Sequence, residues 1–240
     1  MTDSLTSTEY KVLARKYRPQ RFEDLIGQDA LVQTFSNAII NNRVAHAYLL
    51  TGVRGVGKTT TARLIAMALN CETRASDSFE PCGKCNTCTS IREDQNMDVI
   101  EIDAASKTGV DDIREIIDNV KYRPVNCKYK VFIIDEVHML SKSAFNALLK
   151  TLEEPPPHVK FVFATTEVKK IPITIISRCQ RFDLHRIERS ILTTHLNSVA
   201  KNEKVKISKA AMALIIRAAD GSVRDGCSLL DQAITNEKGE

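Results

Sequence analysis

A glycine-rich stretch, Gly52-V-R-G-V-Gly57-Lys58-Thr59, fits the pattern G-x-x-x-x-G-K-[ST] between a predicted strand and a predicted helix. Backbone N–H groups of such a loop wrap a phosphate, and the helix N-terminus adds positive potential. The lysine would neutralise the β- and γ-phosphates, and the threonine hydroxyl would bind Mg²⁺. The alternative is a glycine-rich turn that only opens a helix. The expected nucleotide-binding residues are Gly52, Val53, Arg54, Gly55, Val56, Gly57, Lys58 and Thr59, and we expect the lysine amine to be solvated when no phosphate is bound.

Two acids end another apolar run, V-F-I-I-Asp135-Glu136. Ligands of parallel sheets gather at the carboxyl ends of the strands, so these acids should face the phosphates. Asp135 would position Mg²⁺ together with Thr59, and Glu136 would act as the base that polarises the attacking water. The alternative is a pair of solvated loop acids, and His138 beside them is ambiguous. The two motifs together predict an ATPase or GTPase, and the absence of a guanine-reading N-K-x-D sequence favours ATP.

Four of the seven cysteines lie within one short stretch with the spacing C-x10-C-x2-C-x2-C. These cysteines are Cys71, Cys82, Cys85 and Cys88. Four thiolates complete a tetrahedral Zn²⁺ site without an open position, so the metal would be structural. Free buried thiols, a redox pair and an iron–sulfur cluster are the alternatives. We expect this module to be separate from the phosphate loop, so that nucleotide binding largely survives loss of the metal.

The 240 residues are 43% apolar and 27% charged, which is typical of a globular protein. A net charge of +4 is too small to indicate nucleic-acid binding. The sequence has no apolar run long enough for a membrane helix, and its first 19 residues lack the apolar core that a secretory signal needs. We therefore expect a cytoplasmic protein, in which cysteines stay reduced and bind metals rather than pair.

Short β-branched apolar runs alternate with helical patterns in the first three quarters of the chain, which predicts a doubly wound α/β domain. The predicted strands are 47–51, 98–102, 130–135 and 160–165. The predicted helices are 58–70, 110–121 and 141–154. Beyond residue 182 only amphipathic helices follow, at 187–203, 208–219 and 222–235. We therefore expect a nucleotide-binding domain at 1–181, with the cysteine module at 71–88, and a small helical lid domain at 182–240.

Several further motifs resemble one family of AAA+ ATPases. They include Leu13-ARKYRP, Phe22-EDLIGQ, Asp135-EVHMLS, Phe145-NALLKTLEEPP and the triplet S-R-C at 177–179. This combination resembles the gamma/tau family of bacterial clamp-loader ATPases from about residue 10 to 233. The resemblance implies an AAA+ P-loop domain with a parallel sheet and a zinc insertion, followed by a helical lid. It also implies that the chain is the N-terminal motor part of a longer protein.

The resemblance assigns roles to further residues. Thr166 would sense the γ-phosphate, Arg224 would reach the phosphates from the lid, and Arg178 would act in trans as an arginine finger. The A-R-K-Y-R-P and D-L-I-G-Q segments would line the adenine pocket. Glycine at 226 costs helix stability, so we expect a loosened helix around Arg224. The DNA-facing positions implied by the resemblance are Lys107, Arg114 and Lys150, although these could equally be ordinary surface charges.

The resemblance also implies the cofactors ATP, Mg²⁺ and Zn²⁺. The implied partners are the other subunits of a hetero-pentameric clamp loader, the sliding clamp and primer–template DNA, with no membrane. The fragment alone would be monomeric, and the DNA-directed DNA polymerase (nucleotidyltransferase) activity of the holoenzyme would reside in another chain. A non-hydrolysing adaptor of the same fold and a branch-migration helicase are the competing functions.

Overall fold

The computed structural model describes residues 10–75, 77–106 and 109–236. The chain divides into two compact units. One is Pro19–Arg186, and the other joins Ile187–Glu240 to the residues up to Arg18. The division therefore falls at 186/187 rather than at 181/182, and the described N-terminal residues group with the helical end of the chain.

The elements follow one another along the chain with strands and helices alternating in the larger unit. They are α1 (Leu13–Lys16), α2 (Asp29–Ile40), β1 (Ala47–Thr51), α3 (Lys58–Asn70), α4 (Asn86–Arg92), β2 (Val99–Asp103), α5 (Val110–Val120), β3 (Lys130–Asp135), α6 (Lys142–Glu153), β4 (Val159–Thr165), α7 (Ile173–Ile176), β5 (Gln180–Asp183), α8 (Arg189–Asn202), α9 (Lys209–Ala219) and α10 (Val223–Asn236). Short 3₁₀ turns cover Phe22–Asp24, Val137–Met139 and Val168–Lys170.

The strands form one parallel sheet in the order β2-β3-β4-β1-β5. Strand β4 therefore separates β1 from β3, and the carboxyl ends of all three meet at one edge. The expected α/β fold with a parallel sheet is confirmed, and each predicted strand is present within one residue. Edge strand β5 was not predicted because its sequence, QRFD, has only one buried residue and no apolar run.

Alternate residues of the central strands contribute to two hydrophobic cores, one on each face of the sheet. Leu50 and Ile133 lie in the core that also contains buried residues of α2, α3 and α4. Leu49 and Ile134 lie in the core that also contains buried residues of α5 and α6. Because β1, β3 and β4 are buried on both faces, they read as continuous apolar runs in the sequence. The two cores fix the strands that carry the site.

The smaller unit consists of α8, α9 and α10 with the short helix α1 against α10. The Tyr17 hydroxyl donates to Glu203 at 2.5 Å, and the Leu13 amide donates to Asp231 at 3.2 Å. Helix α10 is continuous through Gly226, where an added Cβ would lie 3.1 Å from Leu196. The glycine lets α10 approach α8 closely, and the loosening of this helix stays a prediction. None of the helices in the described part of the chain is both long and apolar enough to cross a membrane.

Asp98 shows how a buried charge is satisfied beside the sheet. Asp98 is 2% exposed. Its carboxylate accepts hydrogen bonds from the backbone N–H groups of Val125, Asn126 and Cys127 at 2.7, 2.7 and 2.9 Å. Burial alone would raise the pKa of Asp98, but these three donors hold the pKa below its ordinary value of 3.8. The predicted strand began at Asp98, whereas β2 begins one residue later and the carboxylate holds the loop before β3.

We predict that Asp98→Asn lowers the free energy of unfolding by about 3 kcal/mol at neutral pH, because the amide cannot satisfy three buried donors. A depressed carboxyl pKa gives stability that is present above the unfolded pKa and is lost as the pH falls through the folded value. The difference from wild type should therefore shrink below about pH 4. Urea denaturation at several pH values measures this. The control Asp118→Asn, at an exposed site, should stay within about 0.5 kcal/mol, and a pH-independent difference at residue 98 would contradict the assignment.

Candidate functional site

The phosphate loop joins β1 to α3 and depends on glycine at two points. Gly57 caps α3 with φ of 102°, in the left-handed region that favours glycine. A Cβ on Gly52 would lie 2.5 Å from the carbonyl oxygen of Leu184, so no other residue fits there without moving the backbone. The loop therefore presents its backbone closely packed against the chain after β5.

Lys58 is buried at the start of α3, with 6% of the residue exposed. Its Nζ donates to the carbonyl oxygens of Gly52 and Val53 at 3.0 Å each. Burial lowers the pKa of Lys58, whereas the nearby charges of Glu136 and Asp135 act in the opposite direction. The expectation of a solvated amine is therefore wrong, because the loop carbonyls hold the amine inside the cradle.

A hydrogen bond joins the phosphate loop helix to the end of β3. The Thr59 hydroxyl donates to Asp135 Oδ2 at 2.5 Å, and Asp135 Oδ1 accepts the backbone N–H of Glu136 at 2.9 Å. Glu136 adopts the left-handed conformation with φ of 46°, which is strained for a residue with a side chain. Hydroxyl and carboxylate oxygens are the donors that Mg²⁺ prefers, so the chemistry of this pair fits a magnesium ion.

The residue after β4 completes this cluster. Glu136 Oε2 accepts from the backbone N–H and the hydroxyl of Thr166 at 3.2 and 2.9 Å. The side chain of His138 is 6% exposed and lies beside them, with its Nδ1 3.0 Å from Thr165 Oγ1 and 3.3 Å from Glu136 Oε2. Its Nε2 lies 3.4 Å from Glu167. The sequence left the role of His138 open, and the structure places it against the carboxylate of Glu136.

The two arginines with predicted roles lie outside this cluster of hydrogen bonds. Arg178 precedes β5, at the amino-terminal edge of the parallel sheet, and donates to the Thr174 carbonyl at 2.6 Å and to Glu153 at 2.5 Å. Arg224 is exposed in the first turn of α10, in the smaller unit.

The predicted DNA-facing residues have exposed side chains where they are described. Arg114 on α5 pairs with Asp111 at 2.7 Å, and Lys150 is exposed in the last turn of α6. Helices α5 and α6 pack on each other. Lys107 lies outside the described residues.

The four clustered cysteines converge on one point. Their sulfur atoms all lie within 4.8 Å of one another, and Cys82 Sγ lies 4.0 Å from Cys88 Sγ. A tetrahedral ion with metal–sulfur bonds of about 2.3 Å would separate its ligands by about 3.8 Å. Cys71 directly follows α3, and Cys85 caps α4, which was not predicted. The donor set and its spacing therefore suit a metal ion.

Backbone N–H groups point at the sulfur atoms of this cluster. Cys82 Sγ accepts from the amides of Lys84 and Cys85 at 3.3 and 3.2 Å, and Cys71 Sγ accepts from the amide of Cys82 at 3.3 Å. Although burial acts to raise the pKa of Cys82, hydrogen bonds led by that of Thr73 lower it to about 6. Donors aimed at sulfur favour thiolates, the form that binds metals.

Two family models match the chain in succession. The model described as DNA polymerase III, delta subunit, matches residues 27–188. The model described as DNA polymerase III clamp loader subunit, ATPase lid domain, matches residues 191–239. The second match shows that the helical end of the chain is a lid domain.

Curated relatives match nearly the whole chain. DNA polymerase III subunit tau of Bacillus subtilis (strain 168) is 53% identical over 94% of this chain and 40% of its own length. The tau subunit of Escherichia coli (strain K12) is 49% identical over 96% of this chain and 36% of its own length. The gamma subunit of Buchnera aphidicola subsp. Acyrthosiphon pisum is 49% identical over 94% of this chain and 62% of its own length. The chain therefore spans less than half the length of these tau relatives.

Solved structures share the fold at low sequence identity. The RuvB Holliday junction branch migration motor of Thermotoga maritima superposes with a TM-score of 0.66 at 20% identity, over 92% of this chain and 66% of that chain. A DNA polymerase III gamma subunit-related protein of the same organism gives a TM-score of 0.53 at 21% identity, over 87% of this chain and 60% of that chain. The chain thus shares the fold of these two proteins, and by its family models and relatives it belongs to the family of DNA polymerase III clamp-loader subunits that includes gamma and tau.

Proposed function

We propose that this chain is the ATPase motor part of a bacterial clamp loader, which uses ATP binding and hydrolysis to place a sliding clamp on primed DNA. The hydrogen bond of 2.5 Å between Thr59 and Asp135 carries the proposal. It joins the phosphate loop after β1 to the acid pair at the end of β3, two strands away in the sheet, and this brings together the groups that hold Mg²⁺ in ATP hydrolysis. Membership of the clamp-loader family supports the biological role.

In this proposal each residue of the cluster has one task. The loop amides and Lys58 hold the phosphates, and Thr59 and Asp135 hold Mg²⁺, which neutralises charge on the transferring phosphoryl group. Glu136 orients the attacking water and accepts its proton. Thr166 and His138 contact Glu136, so they fix the direction of its carboxylate and relay the state of the γ-phosphate.

Arg178 acts on the ATP of a neighbouring subunit. Strand β5 pairs in parallel with β1, and Gln180 lies opposite Tyr48 while Asp183 lies opposite Thr51. Arg178 thus lies more than about 10 Å behind the end of β1 along the strand direction, since each residue advances about 3.3 Å. This placement supports a role for Arg178 at the ATP of a neighbouring subunit. Arg224 reaches the chain's own phosphates from the lid.

The further partners follow from the family. Neighbouring subunits of a hetero-pentamer, the sliding clamp and primer–template DNA are the proposed partners. Arg114 and Lys150 lie exposed on two helices that pack together, which supports contact with a DNA backbone. We include Lys107 in this surface on the resemblance alone.

The cysteine cluster binds one Zn²⁺ in a structural role. Sulfur atoms within 4.8 Å of one another suit a single ion and leave no room between them for a multi-iron cluster. Four thiolates leave no open coordination position, so the ion takes no part in hydrolysis.

One observation favours a second candidate function. The family model over residues 27–188 is described by the name of a different subunit, delta, so an adaptor of the same fold that does not hydrolyse ATP is kept as the second candidate. The intact set of Lys58, Thr59, Asp135 and Glu136 argues for hydrolysis instead. Measured ATP turnover by the assembled protein separates the two.

We predict that Lys58→Met weakens nucleotide binding at least about a hundredfold, because the charge-assisted contact with phosphate is lost. Equilibrium dialysis with ATP measures this, and circular dichroism verifies the fold. The exposed Lys142→Met is the matched control and should bind like wild type. Undiminished binding by folded Lys58→Met would contradict the phosphate-loop assignment.

We predict that Arg178→Ala in an assembled loader lowers the ATP hydrolysis rate by ~10³–10⁵-fold, the usual contribution of an arginine finger. The nucleotide affinity of each mutant subunit should change less than about twofold. Arg181→Ala, three residues along the chain and exposed, is the control and should hydrolyse normally.

Mixed assemblies test the trans assignment directly. When Arg178→Ala subunits are mixed with Lys58→Met subunits, the sites that pair an intact loop with an intact finger should regain activity. An isolated monomer that hydrolyses ATP at the assembled rate would show that Arg178 is not a trans finger.

We predict one Zn²⁺ per chain, measured by elemental analysis of protein purified without added metal. Acid or chelators should remove it, because the ligands must be thiolates. Cys85→Ala should reduce the bound zinc, whereas Cys227→Ala, a buried cysteine of the smaller unit, should not. Finding iron in place of zinc, or no metal, would refute this assignment.

A further inference from the structure

The loop between the first two clustered cysteines reaches the N-terminal segment of the larger unit. Glu80 lies in this loop, and its carboxylate accepts the backbone N–H groups of Phe22 and Glu23 at 3.0 and 3.1 Å. The ring of Phe79 lies 5.6 Å from the ring of Phe22, which is 1% exposed. A carboxylate that accepts two backbone donors is a strong tether. The cysteine module is therefore bonded to another segment rather than standing apart.

The same N-terminal segment continues to the base of the phosphate loop. Gln28 is 4% exposed, and its side chain donates to the carbonyl of His185 at 3.0 Å and accepts from its amide at 3.4 Å. The preceding residue, Leu184, donates to the Thr51 carbonyl at 2.7 Å. Its own carbonyl is the group that leaves no room for a Cβ on Gly52. A continuous path of contacts thus runs from Glu80 to the first glycine of the loop.

A second path is covalent. Helix α3 begins at Lys58 in the phosphate loop and ends at Asn70, directly before the ligand Cys71. Cys71, Cys82 and Cys85 also pack against the core that contains Val56 of the loop. The residues at both ends of α3 therefore pack on the same hydrophobic core.

We propose that the metal-bound cysteine module clamps residues 19–28 through Glu80 and thereby sets the affinity of the phosphate loop for nucleotide. The ion closes the loop that carries Glu80, so that the carboxylate is held in place before it meets Phe22 and Glu23. Without the ion the loop has more conformational freedom, so ordering it costs more entropy and the contact of Glu80 with Phe22 and Glu23 weakens. Glu80 is a positioning residue, and the proposal differs from the expectation that nucleotide binding largely survives loss of the metal. The inference rests on the proposed nucleotide function.

The test measures two quantities in the full chain, loaded with zinc or stripped by a chelator. One is the hydrogen-exchange protection of the amides of Phe22 and Glu23, and the other is the Kd of a non-hydrolysable ATP analogue. Zinc-loaded Glu80→Ala should lose that protection and bind the analogue about tenfold more weakly. Glu80→Gln keeps one acceptor oxygen, so its amide protection and its Kd should lie between those of wild type and Glu80→Ala. Asp112→Ala loses a carboxylate bond to the amide of Gly109 and should behave like wild type.

Stripping zinc from the wild-type chain should give the same two changes as Glu80→Ala, and stripping Glu80→Ala should add less than about twofold. Because Glu80→Ala keeps all four cysteines, this arm does not depend on the stripped protein staying folded. Unchanged protection and affinity in zinc-loaded Glu80→Ala would overturn the proposal, and so would lost protection with unchanged affinity. If the protection of the Phe22 and Glu23 amides responds as expected but no form of the protein binds the nucleotide analogue, the proposed ATPase function is wrong. The contact between the cysteine module and residues 19–28 is then still supported.

Discussion

The parallel pairing of β1, β4 and β3 is the constraint on which the site depends. It brings the carboxyl ends of these three strands to one edge of the sheet. The phosphate loop, the acid pair and Thr166 directly follow these strand ends, so they lie close together. The hydrogen bond from Thr59 to Asp135 then fixes the first turn of α3 against the end of β3. Ligand chemistry at the carboxyl ends of parallel strands is a general consequence of this architecture. In this chain the burial of the strands on both faces keeps that edge rigid.

The cysteine cluster extends this rigid frame in the other direction along α3. Helix α3 begins in the phosphate loop and ends directly before Cys71 of the cysteine cluster, and the loop beyond it carries Glu80 to the N-terminal segment. The module packs Cys71, Cys82 and Cys85 against the core of the larger unit, and Phe79 lies against Phe22. In the proposed zinc-bound form, the ion would close the loop between the first two cysteines of the cluster. The contacts of Glu80 with Phe22 and Glu23 are the observation behind the proposed link between this closure and nucleotide affinity.

Much of this arrangement could be predicted from the sequence, because the relevant signals are local. The phosphate loop, the central strands and the cysteine spacing each occupy a short run of residues whose types suffice. Edge strand β5 and helix α4 were missed because each is short and lacks a clear apolar period. Lys58 donates to a carbonyl of its own loop, and Glu80 accepts from the amide of Phe22. Neither contact could be predicted, because no local sequence pattern encodes the geometry of these groups. The roles of Arg178 and Arg224 depend on a resemblance rather than on their surroundings.

The most direct test of the central claim is the steady-state ATP hydrolysis rate of the assembled loader, measured alone, with sliding clamp, with primer–template DNA and with both. A clamp-loading motor should hydrolyse ATP fastest when clamp and primed DNA are present together, because the cycle completes only then. The same stimulation should disappear with a clamp that cannot bind the loader. A rate that does not respond to the clamp, or that responds equally to any DNA, would contradict the account.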